Sequence, residues 1–144
     1  MTIYFLGGGN MATAIVAGLC RAGRNSEIHV ADNNPDQRAR LAAQYGVQVS
    51  ATLPELCADD VLVLAVKPQD MQAACAAIRP NGALVLSIAA GLGVDTLSRY
   101  LGGTHRIVRV MPNTPAKVGL GVAGLFAAPG ASAADRQTAQ AIFA

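Results

Sequence analysis

Apolar positions fall into short continuous runs separated by longer stretches of helical period, almost from one end of the chain to the other. The runs at 61–66 and 84–88 are apolar or nearly so throughout, as strands covered on both faces require. Further strands are expected at 3–6, 27–31, 47–49, 107–111 and 119–127. The segments 11–22, 35–45, 69–78 and 94–101 predict helices, and 53–57 a single helical turn. A last helix is expected over 132–144, with Ser132 as its N-cap and Asp135 near its start. Asn34 and Pro35 open the 35–45 helix, because asparagine caps well and proline suits the first helical position. Gly46 closes the same helix from just beyond its end. Repeated strand–helix–strand units imply an α/β fold. Its sheet should be doubly wound and mostly parallel, with helices on both faces and right-handed crossovers.

The first strand runs directly into Gly7-Gly8-Gly9-Asn10-Met11-Ala12. This has the form G-x-G-x-x-G/A, with Ala12 in the third small position, and it lies between a strand and a helix as a dinucleotide-binding turn should. Gly7 permits the tight turn, Gly9 lets backbone approach a pyrophosphate, and Ala12 allows close helix–strand packing. The anion would sit on unpaired N–H groups at the helix N-terminus. A Rossmann-like fold follows from motif and alternation together. The alternative is a glycine-rich turn without a ligand.

Composition narrows the picture. With 144 residues the chain fits one domain with a real core. It is 52% hydrophobic but only 4% aromatic and has no Trp, so that core is aliphatic. A net charge of +2 without a basic run gives no support for nucleic acid or a membrane surface as a partner. Cys20, Cys57 and Cys75 lack C-x-x-C spacing, and with His29 and His105 as the only histidines no metal set can be assembled. A reduced, cytoplasmic setting is expected. No uninterrupted apolar stretch of about 18 residues is present to cross a membrane. The chain stops at Ala144 inside its last expected helix, without a polar tail, so a piece of a longer protein is expected.

In an open α/β sheet a ligand lies beyond the carboxyl ends of the strands. The unusual residues of this chain gather at those ends: the glycine turn, Asp32-Asn33, Lys67-Pro68, Ala89-Ala90-Gly91, and Asn113 between Pro112 and Pro115. Asp32 stands 20 residues after Ala12, where a carboxylate binds the adenosine ribose of NAD and repels the 2′-phosphate of NADP. Arg38 and Arg40 would partly compensate that repulsion. Otherwise Asp32 only begins the turn before Asn34. Lys67 is either a charge directed into the groove or a solvated side chain held by an X-Pro turn. Asn113 would orient a flat ring or simply stiffen a turn. Neither histidine has a carboxylate or nucleophile at a telling spacing, so no acid–base role and no catalytic residue is assigned.

Together, FLGGGNMA at 5–12, LAVKPQ at 64–69, SIAAG at 87–91 and RVMPNTP at 109–115 resemble pyrroline-5-carboxylate reductase, collinearly over nearly the whole chain. The resemblance implies an enzyme of proline biosynthesis, an oxidoreductase that reduces 1-pyrroline-5-carboxylate to L-proline with NADP(H), or alternatively NAD(H). It implies that Leu6, Gly7, Gly8, Gly9, Asn10 and Met11 hold the pyrophosphate, and that Asp32 with Asn33 lies at the adenosine ribose. Ala65, Val66, Lys67 and Pro68 would line the cofactor groove. Ile88, Ala89 and Ala90 would sit near the nicotinamide, with Met111, Asn113 and Thr114 closing around it. Family members carry a second, helical domain that forms the homo-oligomer and supplies most of the substrate site. Residues 1–144 would then be the dinucleotide-binding domain alone, inactive by itself and possessing no catalytic group, with the helical domain absent.

Hydride transfer to a protonated imine fits that division. The cofactor carries the chemistry, and the protein mainly orients it. Two other readings stay open from the residues: a domain like that of β-hydroxyacid dehydrogenases, and a non-catalytic module that senses NAD(P).

Overall fold

In the computed structural model, which describes residues 1–89, 91–112 and 122–143, the apolar runs become strands of one sheet. These are β1 (Ile3–Leu6), β2 (Ile28–Ala31), β3 (Gln48–Ser50), β4 (Val61–Leu64), β5 (Leu84–Ser87), β6 (Ile107–Pro112) and β7 (Val122–Ala127). The strand order is β3-β2-β1-β4-β5-β6-β7. Every pairing is parallel except β6 with β7. The order therefore reverses at β1, which pairs with β2 on one side and β4 on the other. The expected 119–127 strand is described from Val122 onward, and its first three residues lie outside the described residues.

Among the described residues, five α-helices cover the sheet: α1 (Asn10–Arg21), α2 (Pro35–Tyr45), α3 (Met71–Cys75), α4 (Val94–Tyr100) and α5 (Ala133–Phe143). Strand residues alternate between two cores, as period-2 geometry demands. On one face Ile3, Phe5, Val30, Val63, Leu86 and Val108 pack with Ile15 and Val16 of α1, Leu41 of α2 and Phe143 of α5. On the other face Leu62, Leu64, Val85 and Ile107 pack with Met71 and Cys75 of α3 and Leu97 of α4. Phe5, Ile3, Leu62 and Leu86 are fully buried, and burial of each such side chain contributes roughly 1.5–3 kcal/mol.

Local chemistry sets several boundaries as expected. The Asn34 side chain accepts the N–H groups of Asp36 and Gln37, Pro35 follows it, and Gly46 ends α2 at φ 67°. Asp135 and Ser132 cap α5 reciprocally: the Ser132 N–H donates to Asp135 Oδ2 (3.0 Å) and the Asp135 N–H to Ser132 Oγ (3.1 Å).

Two expectations need correction. No helical turn forms at 53–57. There Leu56 is drawn into the core and its carbonyl accepts the Asn81 side-chain amide at 3.0 Å, which removes the acceptor that a helix would use. The helix expected at 69–78 is also shorter, a 3₁₀ turn (Pro68–Asp70) leading into α3. It tightens early through Ala76 N–H to Ala73 and Ile78 N–H to Cys75, and Pro80 disfavours helical backbone at the residue before it.

Candidate functional site

Hydrogen bonds just beyond the carboxyl ends of the strands stitch the loops side by side. The Gly7 N–H donates to Ala31 O, the Asp32 N–H to Ser50 O, the Ala65 N–H to Leu6 O and the Ile88 N–H to Leu64 O. Each strand thus hands its loop to its neighbour's edge, and the four loops after β1, β2, β3 and β4 converge over the reversal in strand order. An open groove of about 1210 Å³ lies there.

The glycine turn forms its floor. Gly7 has φ 100°, and a Cβ there would meet Ala65 O and Val66 Cγ1 at 3.1 Å, so the turn and the close approach both require glycine. Gly8 is buried, and a Cβ would meet Leu41 Cδ1 at 2.9 Å. A Cβ on Gly9 would meet nothing within 4 Å. Space is therefore kept open at the one glycine that precedes α1, whose N-terminus has no side-chain cap and no acidic residue in its first turn. Unpaired N–H groups, the positive end of the dipole and an open cradle fit a pyrophosphate.

Asp32 serves this turn directly. Its Oδ2 accepts the Gly8 N–H at 2.7 Å and its Oδ1 the Asn34 N–H at 2.8 Å. The Gly8 carbonyl faces Thr13 Oγ1 at 3.4 Å and Arg40 Nη2 at 3.5 Å, and Arg40 also reaches Thr13 Oγ1 at 3.1 Å. Arg38 donates to the Asp32 carbonyl at 2.9 Å. Both charges that the sequence offered as compensation for Asp32 thus stand beside its loop.

The groove is lined by Leu6, Gly7, Gly8, Gly9, Asp32, Asn33, Ala65, Val66 and Lys67 from the residues singled out in the sequence. Asn10, Met11 and Ala12 begin α1, with Asn10 exposed and Ala12 buried. Pro68 starts the 3₁₀ turn after Lys67. Ile88 and Ala89 follow β5, and Met111 lies in β6 with 49% of its surface exposed; these three are outside the groove lining. Ala90, Asn113 and Thr114 lie outside the described residues. Beyond the glycine turn, the sequence reading missed Thr52, Leu53 and Pro54 on one wall, and Ala73, Ala77 and Ile78 on another. Thr52 follows the end of β3 and carries the same strand-end signal as Asp32, which the expected helical turn obscured.

Toward β6 and β7 the sheet offers a different surface. Arg109 pairs in register with Phe126, its guanidinium 6.0 Å from the ring centroid. Phe126 is 55% exposed and shares that face with Met111. Among the described residues no helix is long and apolar enough to cross a membrane, and no group of three or more His, Cys, Asp or Glu is placed to hold a metal.

Known proteins with similar sequences and structures agree with this geometry. The Pseudomonas aeruginosa pyrroline-5-carboxylate reductase is 41% identical over 142 residues, covering 95% of this chain and 52% of that protein. The solved pyrroline-5-carboxylate reductase of Coxiella burnetii superposes with a TM-score of 0.86 at 32% identity, covering 99% of this chain and 55% of that one. A Plasmodium falciparum pyrroline carboxylate reductase solved with NADP bound superposes at 0.80 with 23% identity, again over 99% of this chain and 54% of that one, and shares the fold. The chain spans about half the length of the curated relatives it matches. Residues 2–91 match the family model described as NADP oxidoreductase, coenzyme F420-dependent, and the chain belongs to that family.

Proposed function

We propose that this chain is the cofactor-binding half of a reductase that converts 1-pyrroline-5-carboxylate to L-proline, working in the cytoplasm with NADP(H). The observation that carries the reading is the collinear similarity of almost the whole chain to one half of proteins bearing that name. The groove supports it: glycine turn, uncapped helix and strand-end carboxylate occur at the positions a dinucleotide needs.

The roles follow from the chemistry of the residues. Backbone N–H groups at Gly9, Asn10 and Met11 hold the pyrophosphate, while the Gly8 N–H is spent on Asp32. Asp32 and Asn33 border the adenosine ribose. Ala65, Val66, Lys67 and Pro68 line the passage between the two ends, with the Lys67 ammonium as a point charge at its rim. Ile88, Ala89 and Ala90, with Met111, Asn113 and Thr114, surround the nicotinamide end. When bound, a dihydronicotinamide supplies a hydride to the imine carbon, and the protonated ring nitrogen of the substrate keeps its proton as the amine of proline. The protein's part is to hold the two in van der Waals reach. The groups that bind the substrate carboxylate belong to the part of the reductase beyond this half.

Both Asp32 oxygens already accept backbone N–H groups, which spreads the carboxylate charge, and Arg38 and Arg40 stand on the adjoining helix. This supports acceptance of a 2′-phosphate and hence NADP(H), with NAD(H) as the competing cofactor. The test of the activity is reduction of 1-pyrroline-5-carboxylate by the intact protein, followed by loss of reduced nicotinamide absorbance and formation of proline. Turnover with this substrate but not with hydroxyisobutyrate is expected. Tight cofactor binding by the intact protein without turnover would contradict the proposal.

A further inference from the structure

We propose that His29 is a positioning residue for the outer wall of the cofactor groove, acting through Ser50 on the turn that carries Thr52. The proposal rests on that groove being the cofactor site.

β2 is an otherwise aliphatic strand, Ile28-His29-Val30-Ala31, in which a histidine is unexpected unless something holds its ring. Two things do. The Tyr4 ring, in register on β1, stands 5.3 Å away at 41°. On the β3 side, His29 Nε2 lies 2.8 Å from Ser50 Oγ. That hydroxyl also lies 2.6 Å from the Thr52 carbonyl, to which only its proton can bind. With its single proton spent, Ser50 Oγ is an acceptor toward the imidazole, so Nε2 carries hydrogen and donates. The chain of donation therefore runs one way, from His29 Nε2–H to Ser50 Oγ–H to Thr52 O.

Ser50 has a second function. Its backbone carbonyl accepts the Asp32 N–H at 3.0 Å. One residue thus ties the strand end bearing Asp32 to the turn bearing Thr52 and Leu53, and both line the groove. Residues 53–57 have no regular structure and Ala51 and Thr52 are exposed, so helix or sheet bonds do not fix this wall. The Ser50 hydroxyl fixes its beginning, and the Asn81 amide on Leu56 O fixes its end. Removing the His29 donor frees the hydroxyl to turn away from Thr52, and the wall loses its set position opposite Asp32. His29 itself need not touch the ligand.

The test uses the chain as wild type and as His29→Leu, His29→Gln and Ser50→Ala, with thermal melting recorded for each. The probes are NADPH, adenosine 2′,5′-bisphosphate for the adenosine end, and reduced nicotinamide mononucleotide for the other end. His29→Leu and Ser50→Ala should weaken NADPH and the bisphosphate by about three- to ten-fold, the range of one lost hydrogen bond. The mononucleotide should bind them as it binds wild type. His29→Gln, whose amide can donate, should recover most of the loss. Unchanged bisphosphate affinity in His29→Leu and Ser50→Ala would overturn the proposal, and so would a His29→Gln variant as weak as His29→Leu. Failure of wild type to bind NADPH would instead overturn the reading of the groove, and the positioning role with it.

Discussion

At the amino ends of the strands, charged side chains are spent on backbone; at the carboxyl ends, backbone is left open. Arg106, ahead of β6, donates to the carbonyls of Ala58 and Gly82 at 2.9 and 2.8 Å and forms a two-bond pair with Asp135 of α5. Asp60, ahead of β4, accepts the N–H groups of Thr2 and Cys57. These carbonyl and N–H groups are closed off by side chains. Above the opposite ends, α1 starts without a side-chain cap, Gly9 faces open space, and Lys67 is exposed. Asp32 is used there as Asp60 is, on the N–H of a neighbouring loop, and Arg38 and Arg40 reach the Asp32 and Gly8 carbonyls, but the first N–H groups of α1 keep no side-chain partner. Satisfied polar groups secure the fold, whereas unsatisfied donors in a groove favour an anion.

The comparison breaks first at Arg106. Arg106→Leu leaves the Asp135 carboxylate, almost fully buried, without its cation and frees two carbonyls, and should cost about 2–4 kcal/mol in urea unfolding. NADPH affinity of the folded protein should not change. A loss of affinity comparable to that of a groove variant would mean that the two ends are not independent. Gly9→Ala is the converse. The backbone at Gly9, φ −72° and ψ −166°, suits any residue, so the melting temperature should move little, with a capping cost of about 1 kcal/mol or less. The added methyl enters the pyrophosphate space, and NADPH affinity should fall about ten-fold or more.

A pH series sharpens the contrast. The Arg106 guanidinium holds the Asp135 carboxyl below the usual carboxylate range, against the opposing effect of burial. A depressed folded value means that this contribution is fully present above the unfolded value of about 4 and is lost as pH falls through the lower folded value. Unfolding free energy should therefore decline in acid, and Arg106→Leu should flatten that decline. The smallest effect concerns thiols. Burial pushes the Cys75 thiol up to about 11, while Cys57 is exposed. A thiol reagent at neutral pH should label Cys57 first and Cys75 only on unfolding. Early labelling of Cys75 would show that the face covered by α3 opens readily.

Much of the architecture was legible because its determinants are local. Asn34, Pro35 and Gly46 bound α2 by capping chemistry within a few residues of each helix end. The uninterrupted apolar runs mark β4 and β5 because both faces of each are covered. The 53–57 segment was misread because Leu56 is set by burial and by Asn81, 25 residues away. The Arg106–Asp135 pair spans 29 residues and leaves no periodic trace. In the groove, Asp32 was visible as a strand-end carboxylate and Gly8 as part of the glycine turn, but the hydrogen bond that joins them was not. The Thr52 wall depends on Ser50 and His29, a relation that only strand order reveals.

The most direct measurement is a paired titration of NADPH and NADH into the chain, followed by nicotinamide fluorescence, with circular dichroism recorded on the same sample. The account predicts saturable binding at one site, with NADPH bound at least as tightly as NADH and both weakened in Gly9→Ala. A folded chain that binds neither would contradict the reading of the groove as a dinucleotide site.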